Sequence, residues 1–315
     1  MESMLNLFET PFKNIQVGHR FSPLVYPVSD ELIFKYGEAV DDLNFFHRDS
    51  VKAVSGLFRG IIAPPTLASL YILKAYRTDW IPPPGGIHLK QKFRFFGPIY
   101  PDDVLSVQAE LTQKVKKEGN WYLTFVSDSQ NQKGEIVVWS GSTSVWRNVE
   151  KKVKNQKPKM TQFQSRIVAI TNDPDSPTQG WTIGDSLPTL TKRITREKID
   201  QYEEILGIGN PVHFDEEYAR STPFGGVIAH GLMSVAYISE SLMKVFPWEW
   251  VHHGEMEIRF LHPIRPGDTV RTQGELKKKK SNTKGVLLIF DVACKNQCGE
   301  TVLLGTATVP IYNNK

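Results

Sequence analysis

Asp42-Leu-Asn-Phe-Phe-His47 places a carboxylate, an amide and an imidazole within six residues. A carboxylate and an imidazole held side by side can take a proton from one atom and return it to another. A second imidazole closes Asn210-Pro-Val-His213, and His230-Gly231 follows further on. Each piece also has a purely architectural reading. Asp42 followed by Asn44 suits a helix-ending turn, because these side chains satisfy nearby backbone groups. His47 and His213 equally suit bonds to backbone carbonyls in a buried loop. Other chemistries lack their residues. No Cys-x-x-Cys or His-Glu-x-x-His spacing occurs, so no metal is predicted. His252-His253 on a strand would point to opposite faces. Gly207-Ile-Gly209 lacks the third glycine of a dinucleotide site, and neither a Gly-x-Ser-x-Gly elbow nor a phosphate loop is present.

The elements that must carry these residues occur twice. Ser29-Asp-Glu-Leu-Ile33-Phe-Lys-Tyr36 matches Thr195-Arg-Glu-Lys-Ile199-Asp-Gln-Tyr202 at an offset of 166. The offset continues through Asn44/Asn210, His47/His213, Asp49/Asp215 and Gly60/Gly226, and becomes 165 where Phe93–Asp103 matches Ile258–Asp268. A repeat this long is a duplicated domain rather than a solenoid unit. Ser29 and Thr195 are the predicted N-caps of helices with apolar residues at helical spacing. A Gly-rich turn then leads into a second, more apolar helix, Leu67–Lys74 in one copy and Leu232–Ile238 in the other. Alternating strands follow, with Gly134 and Gly299 as hairpin signals. Helices followed by antiparallel strands indicate α+β, with a curved sheet wrapped on each apolar helix and the two sheets joined edge to edge. The expected organisation is a first domain over 1–150, a linker over 151–180 and a second domain over 181–315. Trp248 and Trp250 are expected in a loop after the second apolar helix.

The 315 residues are 40% hydrophobic and 23% charged, with a mean hydropathy of −0.31, which excludes disordered, collagenous and membrane-spanning classes. No apolar run approaches the roughly 20 residues a span requires. The amino terminus does not read as a secretory signal. Two cysteines, Cys294 and Cys298, make no disulfide framework, so a reducing cytoplasm is expected. The net charge of +4 is small and dispersed, which argues against nucleic acid. The run Lys277–Lys280 reads as a solvated strand end.

Asn210-Pro-Val-His-Phe-Asp215 followed by Gly225-Gly-Val-Ile-Ala-His-Gly231 resembles the MaoC-like family of (R)-specific enoyl-CoA hydratases and 3-hydroxyacyl-thioester dehydratases. The first copy resembles it through Asp42–Asp49 and Gly60-Ile-Ile-Ala-Pro-Pro-Thr66, and Pro263-Ile-Arg-Pro-Gly-Asp268 also fits. The resemblance implies a tandem (double) hotdog, each half a central helix wrapped by an antiparallel sheet, with a thioester tunnel between the halves. It also implies that Asp and His of Asp-x-Asn-x-x-His hold one water, and that the Gly of His-Gly donates its N–H to the thioester oxygen. Both copies depart from that pattern. The first keeps Asp42 and His47 but has Pro65, which has no N–H, at the donor position. The second keeps His213 and Gly231 but has Ile208 where the Asp belongs.

Three readings follow. Asp42 and His47 act as the acid/base pair with a substitute donor; or His213 and Gly231 act with a carboxylate from elsewhere, such as Glu203 or Glu204; or acyl thioesters are bound without conversion. The first is preferred, because a proton-transfer pair is harder to replace than one hydrogen-bond donor. The candidate catalytic residues are Asp42, His47 and, from the second copy, His213. The candidate substrate-binding residues are Asn44, Asn210, His230 and Gly231. The expected activity is hydration or dehydration at the 2,3-position of an acyl-CoA or acyl-carrier-protein thioester, placed in fatty acid metabolism. No cofactor is needed beyond the carrier, and the protein is a monomeric double hotdog or a homodimer. A hotdog thioesterase is the remaining enzymatic alternative.

Overall fold

The computed structural model describes residues 11–54, 57–83, 85–146, 166–167, 180–283 and 285–312. Strand β1 (Leu24–Pro27) leads into helix α1 (Asp30–Ala39), a 3-10 turn at Phe45–His47 and helix α2 (Ser50–Val54). A second 3-10 turn, Pro65–Ala68, then hands over to α3 (Ser69–Ala75). Strands β2 (Gly86–Phe95), β3 (Val104–Lys117), β4 (Asn120–Gln130) and β5 (Ile136–Trp146) complete the first copy. Two short strands follow, β6 (Arg166–Ile167) and β7 (Asp185–Ser186). The order then returns with β8 (Thr191–Arg193), α4 (Arg196–Leu206), a 3-10 turn at Pro211–His213, α5 (Glu216–Ser221), α6 (Gly231–Met243) and α7 (Pro247–His253). It ends with β9 (Glu255–Phe260), β10 (Thr269–Asn282), β11 (Gly285–Lys295) and β12 (Thr301–Tyr312). Within the expected linker at 151–180, only β6 and Gly180 belong to the described residues. Among the described residues no helix is long and apolar enough to cross a membrane.

The strands make one sheet in the order β1-β3-β4-β5-β2-β9-β12-β11-β10-β7-β6, with β8 also on β10. The seam is β2 against β9, and reading outward from it the two halves repeat each other: β5 answers β12, β4 answers β11, β3 answers β10 and β1 answers β8. The duplicated sequence therefore folds as two lobes related about that seam. Lys92 and Arg94 of β2 face Glu257 and Glu255 of β9 across it, each pair 3.4 Å apart.

Local signals explain the elements. Ser29 Oγ accepts the Leu32 N–H at 3.1 Å and Thr195 Oγ1 accepts the Lys198 N–H at 3.2 Å, so both expected N-caps are made. Helix α4 stops at Gly207, whose φ of 59° is the left-handed turn that glycine takes without strain. Helix α6 is buried from Leu232 to Met243 and packs on β10 and β11, as an all-round apolar helix must. The first-copy equivalent is shorter. Pro64-Pro65 cannot supply the N–H groups of a regular first turn, so a 3-10 turn precedes α3.

The lobes meet through their helices. Helices α1 and α4 pack together, Ser69 Oγ lies 2.7 Å from the Tyr202 hydroxyl, and the Tyr36 hydroxyl donates to the Thr66 carbonyl at 2.8 Å. One expectation needs correction. Trp248, Trp250, His252 and His253 lie on helix α7, not in a loop or on a strand. Pro247 occupies the first helical turn, where its missing N–H costs nothing. Trp250 is buried and donates to Ser239 Oγ, whereas Trp248 is exposed.

Candidate active site

The first-copy residues converge in the loop after α1. The Asp42 N–H returns to the Gly37 carbonyl at 2.8 Å, after Asp41 adopts a φ of 58°. Asp42 Oδ1 accepts the Asn44 N–H, and Asn44 Oδ1 accepts the Phe46 N–H, so Asn44 caps the 3-10 turn that carries His47. His47 Nδ1 lies 2.8 Å from the Ile62 carbonyl. A carbonyl only accepts, so Nδ1 carries a proton. The other ring nitrogen, Nε2, sits 3.6 Å from Asp42 Oδ2, buried and without a hydrogen bond.

The other lobe reaches the neighbouring Asp41. Lys192 of β8 lies 2.7 Å from Glu240 Oε2 of α6 and donates to the Asp41 carbonyl. Burial pushes the Glu240 carboxyl up, and the negative charge of Asp42 adds to the effect. Pro65 begins the neighbouring 3-10 turn and offers no N–H.

The second-copy residues surround a cavity of about 460 Å³. Tyr76 and Trp146 line it from the first lobe; Ile208, Asn210, His213, His230 and Gly231 line it from the second. Neither Asp42 nor His47 is on its wall. His213 Nδ1 donates to the Ile228 carbonyl at 2.8 Å, which leaves Nε2 as the free, accepting nitrogen. The His213 ring stacks on His230 at 3.6 Å between centroids. His230 Nε2 is 2.8 Å from Glu203 Oε2, although out of line for a hydrogen bond. Glu203 Oε1 accepts the Gly209 N–H at 2.6 Å, which ties the carboxylate to the loop after α4.

Burial sets the charges here. It pulls both His213 and His230 down to about 3, and for His213 the neighbouring His230 adds to the effect. Burial also pushes the Glu203 carboxyl up. Gly231 opens α6, so its N–H is one of the unsatisfied donors at the positive end of a long helix. A side chain at Gly231 would strike the Phe260 ring at 2.8 Å. The Asn210 Oδ1 atom is buried without a partner, unlike its counterpart in Asn44.

The candidate residues thus separate into two groups. Asp42, Asn44 and His47 form one buried cluster, and Asn210, His213, His230 and Gly231 form the cavity wall. Trp248 and Trp250 do not line the cavity. Sequence reasoning offered Glu203 only as one of two substitutes for the missing Asp. Arg77, which also lines the cavity from the first lobe, and Glu240 it did not single out. Glu240 had a signal, a carboxylate in an otherwise apolar helix; Arg77 had none.

Comparison with known proteins accounts for both halves. A model of the MaoC like domain matches residues 179–293, and one of the FAS1-like dehydratase domain region matches residues 15–139. The chain is 32% identical over 123 residues to a 3-hydroxybutyryl-CoA dehydratase of Methylorubrum extorquens, covering 39% of this chain and 76% of that one. It is 32% identical over 127 residues to an (R)-specific enoyl-CoA hydratase of Rhodospirillum rubrum, covering 39% and 83%. A solved structure described as a MaoC-like dehydratase superposes with a TM-score of 0.75 at 22% identity, over 96% of this chain and 99% of that one. A Mycobacterium tuberculosis protein described as having a double hotdog fold gives 0.63 at 13% identity, over 96% and 97%. The two structural matches speak for the fold, a helix wrapped by sheet occurring twice, and the two sequence relatives for the lineage. The chain belongs to the MaoC-like dehydratase family, in its double-hotdog form.

Proposed function

We propose that the chain is a hydro-lyase that adds water to, or removes it from, the 2,3-bond of an acyl thioester, and that the second-lobe cavity is where it does so. The observation that carries this reading is His213: uncharged, anchored through Nδ1 and on the cavity wall with α6's first N–H group.

Hydration then runs as follows. Nε2 of His213 takes a proton from water as the hydroxyl bonds to C3. The electrons of the double bond move onto the thioester oxygen, which the Gly231 N–H meets. The proton returns to C2 as the carbonyl re-forms, so one water is added and His213 ends as it began. Asn210 Oδ1, buried and without a partner, is the acceptor that orients the water. Glu203 acts through His230, against which His213 stacks, and its negative charge favours the transient imidazolium. It thereby takes over part of the role of the carboxylate that Ile208 lacks. The carrier is coenzyme A or acyl carrier protein, and the compartment is the cytoplasm.

A second reading keeps the chemistry in the first lobe, supported by the 3.6 Å approach of His47 to Asp42. The two separate in one assay. Crotonyl-CoA is followed by loss of the enoyl-thioester absorbance, with free thiol measured in parallel. His213→Gln is expected to slow hydration by about 10²–10⁴-fold, while Asp42→Asn and His47→Gln stay within a few-fold of the parent. The reverse ranking moves the reaction to Asp42 and His47. Thiol release would indicate a thioesterase, and binding without either signal a non-catalytic binder.

A further inference from the structure

Helix α6 contains three serines, Ser234, Ser239 and Ser241, and two of them have partners. Ser239 Oγ accepts the Trp250 indole N–H at 2.8 Å, and Ser241 Oγ donates to the Pro188 carbonyl at 2.6 Å. Ser234 is 1% exposed, and its hydroxyl has no hydrogen-bond partner among the described residues. A helical serine can bond to the carbonyl four residues earlier. Here that carbonyl, of His230, accepts the Met233 N–H at 3.1 Å instead. Ser69 has the matching place in the first copy, two residues after Leu67 as Ser234 is after Leu232, and its hydroxyl is 2.7 Å from that of Tyr202. Ser234 is on the wall of the 460 Å³ cavity together with His230, Gly231 and Leu232, and none of the described residues beyond it on α6 is. A buried hydroxyl with no partner costs stability unless a ligand supplies one.

We propose that Ser234 is a further catalytic residue, whose hydroxyl donates a second hydrogen bond to the thioester oxygen beside that of the Gly231 N–H. This rests on the reading that the thioester occupies the second-lobe cavity. Helix geometry supplies the placement. Gly231 and Ser234 are the first and fourth residues of α6, so they share a face and are separated by about 4.5 Å along the axis. A helical side chain leans toward the N-terminus, so the Ser234 hydroxyl lies over the turn that starts at Gly231. A carbonyl oxygen has two lone pairs, and the Gly231 N–H occupies one of them. His213 gives nothing to the other, because its ring proton is on the Ile228 carbonyl. As the electrons of the double bond move onto the oxygen both bonds strengthen, so the hydroxyl favours the transition state over the bound substrate.

Turnover and binding by the full chain, measured together, test this. Ser234→Ala is expected to lower kcat for crotonyl-CoA by about 10²-fold while KM stays within about threefold. Its urea midpoint should equal or exceed that of the parent, because a buried hydroxyl without a partner has been removed, whereas a serine kept for structure would give a lower one. Ser234→Cys, which keeps a side chain of similar shape with only a weak donor, should behave alike. Isothermal titration with butyryl-CoA and S-butyl-CoA, the thioether with a methylene in place of the carbonyl, isolates the oxygen without hydration. The parent should bind butyryl-CoA about tenfold more tightly than S-butyl-CoA, and Ser234→Ala only about threefold, with S-butyl-CoA itself held within about twofold. Equal parent affinity for the two ligands overturns the proposal, whether or not the variants fold. So does a Ser234→Ala rate within about threefold of the parent, or a loss of affinity shared by both ligands, which marks packing. Hydration of crotonyl-CoA by the parent would in those cases leave the hydratase reading standing. A parent that fails to hydrate crotonyl-CoA, yet loses its butyryl preference in Ser234→Ala, sustains the bond to the carbonyl and removes that reading.

Discussion

Acidification from pH 7.0 to 5.5 probes the cavity histidines directly. His213 and His230 are 9% and 7% exposed, and burial brings both down to about 3. In the unfolded chain they titrate near the ordinary value of about 6.5. A folded-state value below the unfolded one means that stability is complete above about pH 6.5 and declines as pH falls, because only the unfolded chain takes up the protons. Over this window each histidine accounts for a loss of about 1.3 kcal/mol, and the pair for about 2.5. Any folded-state value below about 4.5 gives nearly the same figure. Glu203 works with the opposite sign, since burial raises its folded-state value and its stability contribution grows as pH falls. The comparison is therefore between the parent and His213→Gln/His230→Gln, both retaining Glu203. Urea unfolding at pH 7.0, 6.5, 6.0 and 5.5, at constant ionic strength, should show the parent losing about 2.5 kcal/mol more than the double variant. Identical pH dependence in the two proteins refutes the claim that these imidazoles are held neutral. The same claim requires kcat/KM for crotonyl-CoA to lack an acidic limb near pH 6.5.

Two further outcomes follow from packing and charge. Gly231→Ala places a methyl group 2.8 Å from two carbons of the Phe260 ring, so the ring on the cavity wall or the start of α6, with its N–H, must move. The rate of hydration should fall by about 10²–10³-fold, and a rate within threefold of the parent would dismiss that donor. Glu240→Ala takes from Lys192, which is 7% exposed, its nearer carboxylate and leaves it only Asp41, whose Oδ2 is 3.9 Å away, so it should cost up to about 3 kcal/mol in urea unfolding. The double replacement Lys192→Met/Glu240→Leu should be much closer to the parent, and equal losses would show that the ion pair itself is not at stake.

Much of the fold was legible because its signals are local. The caps at Ser29 and Thr195, the change from helical to alternating periodicity, and the hairpin glycines Gly134 and Gly299, at φ 77° and 78°, all involve residues close in sequence. The matched offset carried each reading to the other copy. Asp49 and Asp215, matched by that offset, play the same part in their loops, accepting the N–H groups of Lys52 and Tyr218. Helix α7 was missed because Pro247 reads as a breaker unless it is recognised in the first turn. The sites were only half legible. Asp42 and His47 are neighbours in sequence and in space, but nothing local reveals that the Lys192–Glu240 pair of the other lobe meets the adjacent Asp41. Likewise, Arg77 reaches a wall made mostly by residues far along the chain, and that proximity arises only once α1 and α4 have packed.

The seam between β2 and β9 joins lobes encoded by one chain rather than by two identical subunits. In a symmetric pair of identical chains, replacing a glycine by proline at one catalytic pocket would replace it at both, and the assembly would lose all turnover at once. Covalent union removes that constraint. Each lobe can then keep a residue that its counterpart lacks, as Asp42 against Ile208 and Gly231 against Pro65 illustrate.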